Sequence, residues 1–262
     1  MNGLLFAIAI IGGIGLVAGI LLAAVSHFCN TGEENERLAA IRDALPGANC
    51  GACGYAGCDS YAEAVENGSA EPNLCAPGGA DAAAKISEIL GVEIELTPKV
   101  ARVNCNGCTE NAETKYNYTG MSSCKAAVAL GGGMKSCDFG CLGLGDCVNV
   151  CEFGAISVEN GVAKVDVNLC TGCGLCSKTC PKQVISIVPL KKAAVVPCNN
   201  TQKGGIARKN CKTACIGCSA CVKACEFGAV KVENFLASID GEKCTACGKC
   251  VAACPQKIIV LE

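Results

Sequence analysis

Residues 170–181 read CTGCGLCSKTCP, in which three cysteines are two residues apart and a fourth follows after three residues, just before a proline. Three thiolates at this spacing can hold three corners of one Fe4S4 cube from a single loop, while the fourth binds the other cluster of a pair. The cysteine spacing recurs in residues 215–225 and, with the proline, in residues 244–255. The three runs therefore predict bound 4Fe-4S clusters.

Zinc is the main alternative metal for so many cysteines. A zinc site usually combines two separate Cys-x2-Cys pairs, often with histidine among the ligands. His27 is the single histidine of this chain, and the runs hold three cysteines rather than two. Both observations favour iron–sulfur clusters over zinc.

A duplication with an offset of 74 residues runs through the cysteines. The nine cysteines from Cys124 to Cys180 each have a second cysteine 74 positions later, from the pair Cys124 and Cys198 to the pair Cys180 and Cys254. We therefore expect two tandem ferredoxin-like modules, in residues 98–190 and 191–262. Each should contain a hairpin, with turns at Asn160-Gly161 and Asn234-Phe235.

One position departs from the repeat, because Leu144 stands where the second module has Cys218. Cys137 is the expected substitute, although this first cluster could also be absent or a three-iron form. The four predicted ligand sets are Cys137, Cys141, Cys147 with Cys180; Cys170, Cys173, Cys176 with Cys151; Cys215, Cys218, Cys221 with Cys254; and Cys244, Cys247, Cys250 with Cys225.

Two further cysteine sets lie outside these runs. A glycine-rich loop with Cys50, Cys53 and Cys58, completed by Cys75, predicts a separate 4Fe-4S cluster in a small domain at residues 29–97, with zinc as the alternative. In the same domain, Asp81–Leu90 is expected to form a helix closed by Gly91, with a strand at residues 92–96.

A sixth cluster is the hypothesis for the remaining cysteines. Its predicted ligands are Cys105, Cys108, Cys124 and Cys198. Cys211 could replace Cys198, or the set could be partly structural. Cys29 is expected to be a free thiol.

The N-terminal residues 1–28 contain an uncharged stretch of 23 residues, Gly3–Val25. A helix of that length can cross about 30 Å of hydrocarbon, so we expect a single transmembrane anchor; an unusual export signal or a buried helix are the alternatives. Many clustered free thiols survive in a reducing compartment. The expected location is therefore the cell membrane, single-pass, with the cluster domains in the cytoplasm.

The formal net charge of −2 conceals an uneven distribution of charge. Residues 30–95 hold twelve acidic and three basic residues, whereas residues 181–212 hold seven basic residues and no acidic one. The basic stretch could attract an acidic electron donor, or it could offset the negative charge of neighbouring clusters.

The order of these parts resembles the B subunit of the Rnf complex, a membrane-bound, ferredoxin-oxidising electron-transfer complex. The resemblance covers the whole chain, and the Cys50–Cys75 segment is similar to a small 4Fe-4S domain of carbon monoxide dehydrogenase/acetyl-CoA synthase systems. The resemblance to the Rnf B subunit implies that the chain is an electron-transfer subunit of an ion-translocating oxidoreductase. Such a subunit takes electrons from soluble ferredoxin and passes them to membrane subunits. NAD⁺ and a quinone-like carrier are both open as terminal acceptors.

The expected fold is therefore α+β: an N-terminal helix, a small 4Fe-4S domain and two ferredoxin-like modules. No residue is expected to perform bond-making chemistry, and nothing indicates nucleic-acid binding. Gly131-Gly132-Gly133 lacks the context of a nucleotide-binding loop and is expected to form a turn. The alternative functions are a free-standing polyferredoxin that serves a hydrogenase or reductase, and an iron–sulfur sensor or storage protein.

Overall fold

The computed structural model describes residues 12–13, 15–22, 24, 34–94 and 97–262. Among them, no helix combines the length and apolar character needed to cross a bilayer. A span requires about 20 consecutive apolar residues, and the longest described piece of the predicted anchor is residues 15–22. The predicted location as a single-pass membrane protein is therefore corrected. Much of Gly3–Val25, as well as Cys29, lies outside the described residues.

The small N-terminal domain is built from three helices, α1 (Glu34–Ala44), α2 (Cys58–Glu66) and α3 (Gly79–Leu90). Ile41, Tyr61 and Ile86 meet in its core. Helix α3 starts at Gly79, two residues before the predicted start at Asp81. Gly91 closes it, as predicted, in the left-handed conformation.

The strand expected at residues 92–96 is wrong for residues 92–94, which have no regular structure, whereas residues 95–96 are not described. The next strand among the described residues is β1 (Lys99–Val103).

Each module consists of short helices and two-stranded antiparallel sheets. The elements of the first are β1 (Lys99–Val103), α4 (Cys124–Ala129), α5 (Asp146–Asn149), β2 (Ile156–Glu159), β3 (Val162–Val165), α6 (Leu175–Thr179) and β4 (Ile185–Pro189). Those of the second are β5 (Ala194–Val195), α7 (Gly204–Asn210), α8 (Ala220–Ala224), β6 (Val230–Glu233), β7 (Leu236–Ile239), α9 (Lys249–Ala253) and β8 (Val260–Leu261).

The central hairpins, β2–β3 and β6–β7, occupy the predicted positions. Asn160 and Gly161 both have positive φ, at 48° and 75°, as the predicted turn requires. Asn234 and Phe235 form the same kind of turn, although positive φ is unusual for phenylalanine. The second module therefore forms the same turn as the first, although Asn234-Phe235 favours it less than Asn160-Gly161 does.

Outside the hairpins, the first strand of one module pairs with its last strand. Ala101 in β1 lies opposite Ile187 in β4, and Ala194 in β5 lies opposite Leu261 in β8. The last strands keep the offset of 74 residues, but the first strands are offset by 93. The first module therefore contains 19 additional residues after its first strand.

Helix α7 offers a matched pair of adjacent glycines for testing the packing of the second module. A Cβ added at Gly204 would lie 2.5 Å from the Ile216 carbonyl oxygen, whereas one at Gly205 would meet no atom within 4 Å. We expect Gly204→Ala to destabilise the protein by about 1–3 kcal/mol. Gly205→Ala should be neutral or stabilise it by up to about 1 kcal/mol.

The check is anaerobic thermal unfolding of both variants beside the unmodified chain. Equal midpoints for the two variants would contradict the described packing of α7 against the Ile216 loop.

Candidate metal centres

Each module contains two cavities, and four cysteines line each cavity. In the second module, one cavity is lined by Cys215, Cys218, Cys221 and Cys254, and the other by Cys225, Cys244, Cys247 and Cys250. Apolar side chains such as Val232 and Ile259 complete the walls. Both predicted ligand sets of this module are thus brought together.

In the first module, the predicted set of Cys151, Cys170, Cys173 and Cys176 is brought together around one cavity. The fourth cavity differs from the prediction, since its cysteines are Cys124, Cys141, Cys147 and Cys180. Cys137, which also belongs to the described part of the chain, does not line this cavity. The structure therefore brings Cys124, rather than the predicted Cys137, to this cavity.

Cys124 reaches this cavity because α4 is tied to α5. Ser123 caps α4 and donates from its hydroxyl to Asp146 Oδ2 at 3.2 Å, and the same oxygen accepts the Lys125 N–H at 2.9 Å. Asp146 immediately precedes Cys147. The 19 additional residues of the first module thus bring a fourth thiol to this cavity. The sequence showed that the first module lacks a counterpart of Cys218. Cys137 is closer along the chain to this gap than Cys124, but the structure places Cys124 beside the cavity.

Backbone N–H groups donate to the cluster cysteines in the same way in both modules. In the hairpins, Ala163 donates to Cys141 Sγ at 3.5 Å and Ala237 to Cys215 Sγ at 3.4 Å. In the first strands, Ala101 donates to Cys170 Sγ at 3.3 Å and Ala194 to Cys244 Sγ at 3.4 Å. Such donors stabilise the thiolate form and help set the reduction potential of a bound cluster.

Burial opposes ionisation of these thiols when no cation is bound. It raises the pKa of Cys147 to about 12, with the charges of Cys141, Cys124 and Cys180 as smaller causes. Burial likewise raises the pKa of Cys176 to about 11. Since iron binds the thiolate, cluster binding must release protons from these sites and contribute to folding.

The Cys50 set lies in the small domain, where Cys75 is buried and Cys50, Cys53 and Cys58 are partly exposed. Burial raises the pKa of the Cys75 thiol, and the charges of the other three raise it further. Gly51 has a φ of 67°, a backbone conformation that glycine adopts without strain. The four predicted ligands are therefore close enough to affect one another electrostatically.

A contact links this domain to the first module. Lys178 Nζ, in the Cys170–Cys180 run, donates to the carbonyl oxygen of Ala52 at 3.5 Å. Ala52 lies between Cys50 and Cys53, so the loops of two cysteine sets are in contact.

The predicted set of Cys105, Cys108, Cys124 and Cys198 is not brought together, because Cys124 lines the cavity of the first module. Its assumed equivalence to Cys198 follows the 74-residue offset, which the first strands do not share. Cys105 instead lies beside Cys211, since a side chain added at Gly107 would meet both sulfurs.

Within the described ranges, no three or more His, Cys, Asp or Glu side chains converge as ligands of a single metal ion would. Thiolates of an Fe4S4 cube bind four different iron atoms and need not converge on one point. Four sulfurs around one cavity are the arrangement that suits such a cube.

A groove lies between β1 and the last strands of both modules. The exposed side chains of Lys164, Lys191 and Lys192 line it, together with the ion pair between Arg102 and Glu262, in which Nε and Oε2 are 2.8 Å apart. Part of the basic stretch noted in the sequence therefore borders a large concave surface.

Two family models match the chain. One, described as "Putative Fe-S cluster", matches residues 45–77, and the other, "4Fe-4S dicluster domain", matches residues 169–230 and 214–259. These matches confirm the predicted cofactor: the chain carries domains for 4Fe-4S clusters.

Three relatives match almost the whole chain. The B subunit of the Na(+)-translocating ferredoxin:NAD(+) oxidoreductase complex of Acetobacterium woodii is 45% identical over 99% of this chain and 78% of the relative. The B subunit of the ion-translocating oxidoreductase complex of Methanosarcina acetivorans is 42% identical over 98% of both chains. The B subunit of the proton-translocating ferredoxin:NAD(+) oxidoreductase complex of Clostridium ljungdahlii is 42% identical over 97% of this chain and 91% of the relative. The chain therefore belongs to the family of B subunits of the ion-translocating oxidoreductase, or Rnf, complex.

Proposed function

We propose that this iron–sulfur protein accepts electrons from reduced ferredoxin and relays them, cluster by cluster, to other redox subunits of the ion-translocating complex. The observation that carries the proposal is the presence of two four-cysteine cavities in each module. A protein that only stored iron or sensed it would not need the same pair of cavities twice. The names of two relatives specify ferredoxin as a substrate of their complexes.

We assign five clusters to the sets that the cavities and the family matches support. The proposed ligands are Cys50, Cys53, Cys58 and Cys75; Cys151, Cys170, Cys173 and Cys176; Cys124, Cys141, Cys147 and Cys180; Cys215, Cys218, Cys221 and Cys254; and Cys225, Cys244, Cys247 and Cys250.

The chain's own residues control electron transfer without making or breaking a covalent bond of a substrate. When bound, the clusters supply the one-electron redox chemistry. Apolar walls limit access of water, and the N–H groups of residues such as Ala163 and Ala237 donate to ligand sulfurs. Burial, hydrogen bonds to sulfur and local charge are the means by which a protein sets the potential of each cluster.

The exposed cysteines support electron entry through the second module. Cys218 and Cys247 are the exposed thiols among the described cysteines, one in each cavity of that module. The basic groove lies beside its last strand, β8. At the other end, the contact between Lys178 and Ala52 supports transfer from the first module to the Cys50 set. The proposed path therefore runs from the second module to the small domain.

Replacement of Cys124 tests the ligand assignment of the first module. We expect Cys124→Ala to lose about one to four iron atoms per chain, because a cube without one thiolate loses one iron or is not retained. Adding Leu144→Cys should restore the iron, since the corresponding Cys218 lines its own cavity. Iron and acid-labile sulfide analysis of anaerobically purified chains is the measurement. Full iron content in Cys124→Ala would contradict the assignment, and Leu144→Cys alone is the control.

Reversal of charge in the groove tests donor docking. Changing Lys191 and Lys192 to Glu should slow reduction by ferredoxin about tenfold or more at low salt, and the difference should shrink as salt screens it. The control changes Lys231 and Lys243 to Glu, two exposed lysines that have acidic partners of their own.

Stopped-flow absorbance under anaerobic conditions follows the reduction. An unchanged rate in the Lys191/Lys192 variant would exclude docking at the groove. If reduced ferredoxin does not reduce the wild-type chain at all, the proposed function is contradicted.

A further inference from the structure

We propose that a sixth 4Fe-4S cluster binds between the two modules, held by Cys105, Cys137, Cys198 and Cys211. None of these cysteines belongs to the five sets assigned above. The existence of the site can be tested without electron transfer, whereas its role in the relay rests on the proposed function.

The four cysteines form two equivalent pairs, one from each module. Cys105 and Cys198 each stand four residues after the strand alanine whose N–H donates to a cluster cysteine. Their sulfurs also accept equivalent hydrogen bonds, from the N–H of Cys141 and of Cys215, both at 3.3 Å. The structural counterpart of Cys198 is therefore Cys105.

Cys137 and Cys211 form the second equivalence, since each precedes the leading cysteine of its module by four residues. Both are buried. Two pairs related in this way provide the four thiolates that one cube requires, two from each side. Cys108 has no such partner, because Thr201 occupies the corresponding position.

Distances bring the pairs together across the boundary between the modules. A Cβ at Gly107 would lie 3.5 Å from Cys105 Sγ and 3.6 Å from Cys211 Sγ. A Cβ at Gly140 would lie 3.7 Å from both Cys105 Sγ and the Cβ of Cys137. The two glycines leave space beside these cysteines that any larger residue would reduce.

A buried amide joins Cys137 to the second module. Asn200, which is 1% exposed, donates from Nδ2 to Cys137 Sγ at 3.4 Å, and it stands two residues after Cys198. A nearly fully buried side chain that donates to a sulfur favours the thiolate form of that sulfur. This contact places the backbone that carries Cys198 beside Cys137.

A buried cation provides independent support for an anionic group at this place. Lys135 is 4% exposed, and its Nζ donates to the carbonyl oxygens of Gly107 at 2.6 Å and Gly161 at 2.7 Å. In the described part of the chain it forms no ion pair. A buried ammonium group is costly without a counter-charge, and a cluster bound by four thiolates is negative.

Gly107 therefore brings Lys135 to the loop of Cys105. The residue of the second module that corresponds to Lys135 in the 74-residue repeat is Lys209, which is exposed. Of these two lysines, only Lys135, beside the loop of Cys105, is buried.

The position of this site gives it a clear role in the relay. Its sulfurs accept N–H groups of Cys141 and Cys215, which are themselves proposed ligands of the neighbouring clusters on either side. A cluster here would connect the first module to the second through one hydrogen bond at each boundary. The six clusters would then form one continuous path.

The test compares the double variant Cys137→Ala/Cys211→Ala with the control Cys108→Ala, each in the full chain purified without oxygen. Iron and sulfide analysis should give about 24 iron atoms for the wild type and for Cys108→Ala, and about 20 for the double variant. The retained iron shows that the double variant has folded. Equal iron contents in all three chains would overturn the proposal.

A second variant keeps the test valid if the double variant loses all its iron. Cys198→Ser replaces one sulfur ligand by oxygen, and it should change the Mössbauer parameters of the one iron atom that this residue binds, about 1 in 24, while leaving the total iron near the wild-type value. An unchanged spectrum would also overturn the proposal. If iron content supports the site but ferredoxin reduces the double variant as completely and as fast as the wild type, the site stands and its role in the relay fails.

Discussion

Ligation of iron by buried thiolates is the interaction on which the rest of this structure depends. The modules contain helices of four to seven residues and two-stranded sheets, none of which is stable alone in water. Of the nine buried residues in the core of each module, three are cysteines, and burial raises the pKa of thiols such as Cys147. The free energy of cluster binding is therefore part of the free energy of folding.

This dependence explains why the cysteine pattern predicted so much of the molecule. The runs at 170–181, 215–225 and 244–255 fix the loops around three cavities, and the ligands proposed there are brought together as predicted. The hairpin turn at Asn160-Gly161 was also correct, because its local signal is strong. The spacing of cysteines along the chain predicts which of them meet in space where all of them lie on one short loop or on duplicated loops.

The structure places the remaining predicted ligands differently, because their positions depend on contacts between distant segments. A constant offset of 74 residues made Cys124 the counterpart of Cys198. The strands show instead that Cys105 is that counterpart and that the first module has 19 additional residues. Those residues carry Cys124 to the place left by Leu144, and this releases Cys137 for a different neighbourhood. No local pattern reports such an exchange. The predicted location failed because it rested on the apolar composition of residues that the structure describes only in part.

With these assignments, duplication created two pairs of cavities in the chain, and the boundary between the copies acquired a site of its own. The six proposed clusters form one path through the protein. Native mass spectrometry of the intact chain, purified and sprayed without oxygen, counts bound Fe4S4 units directly. We predict six per chain. A dominant species with five or fewer, from preparations that lose no cluster on dilution, would contradict the account.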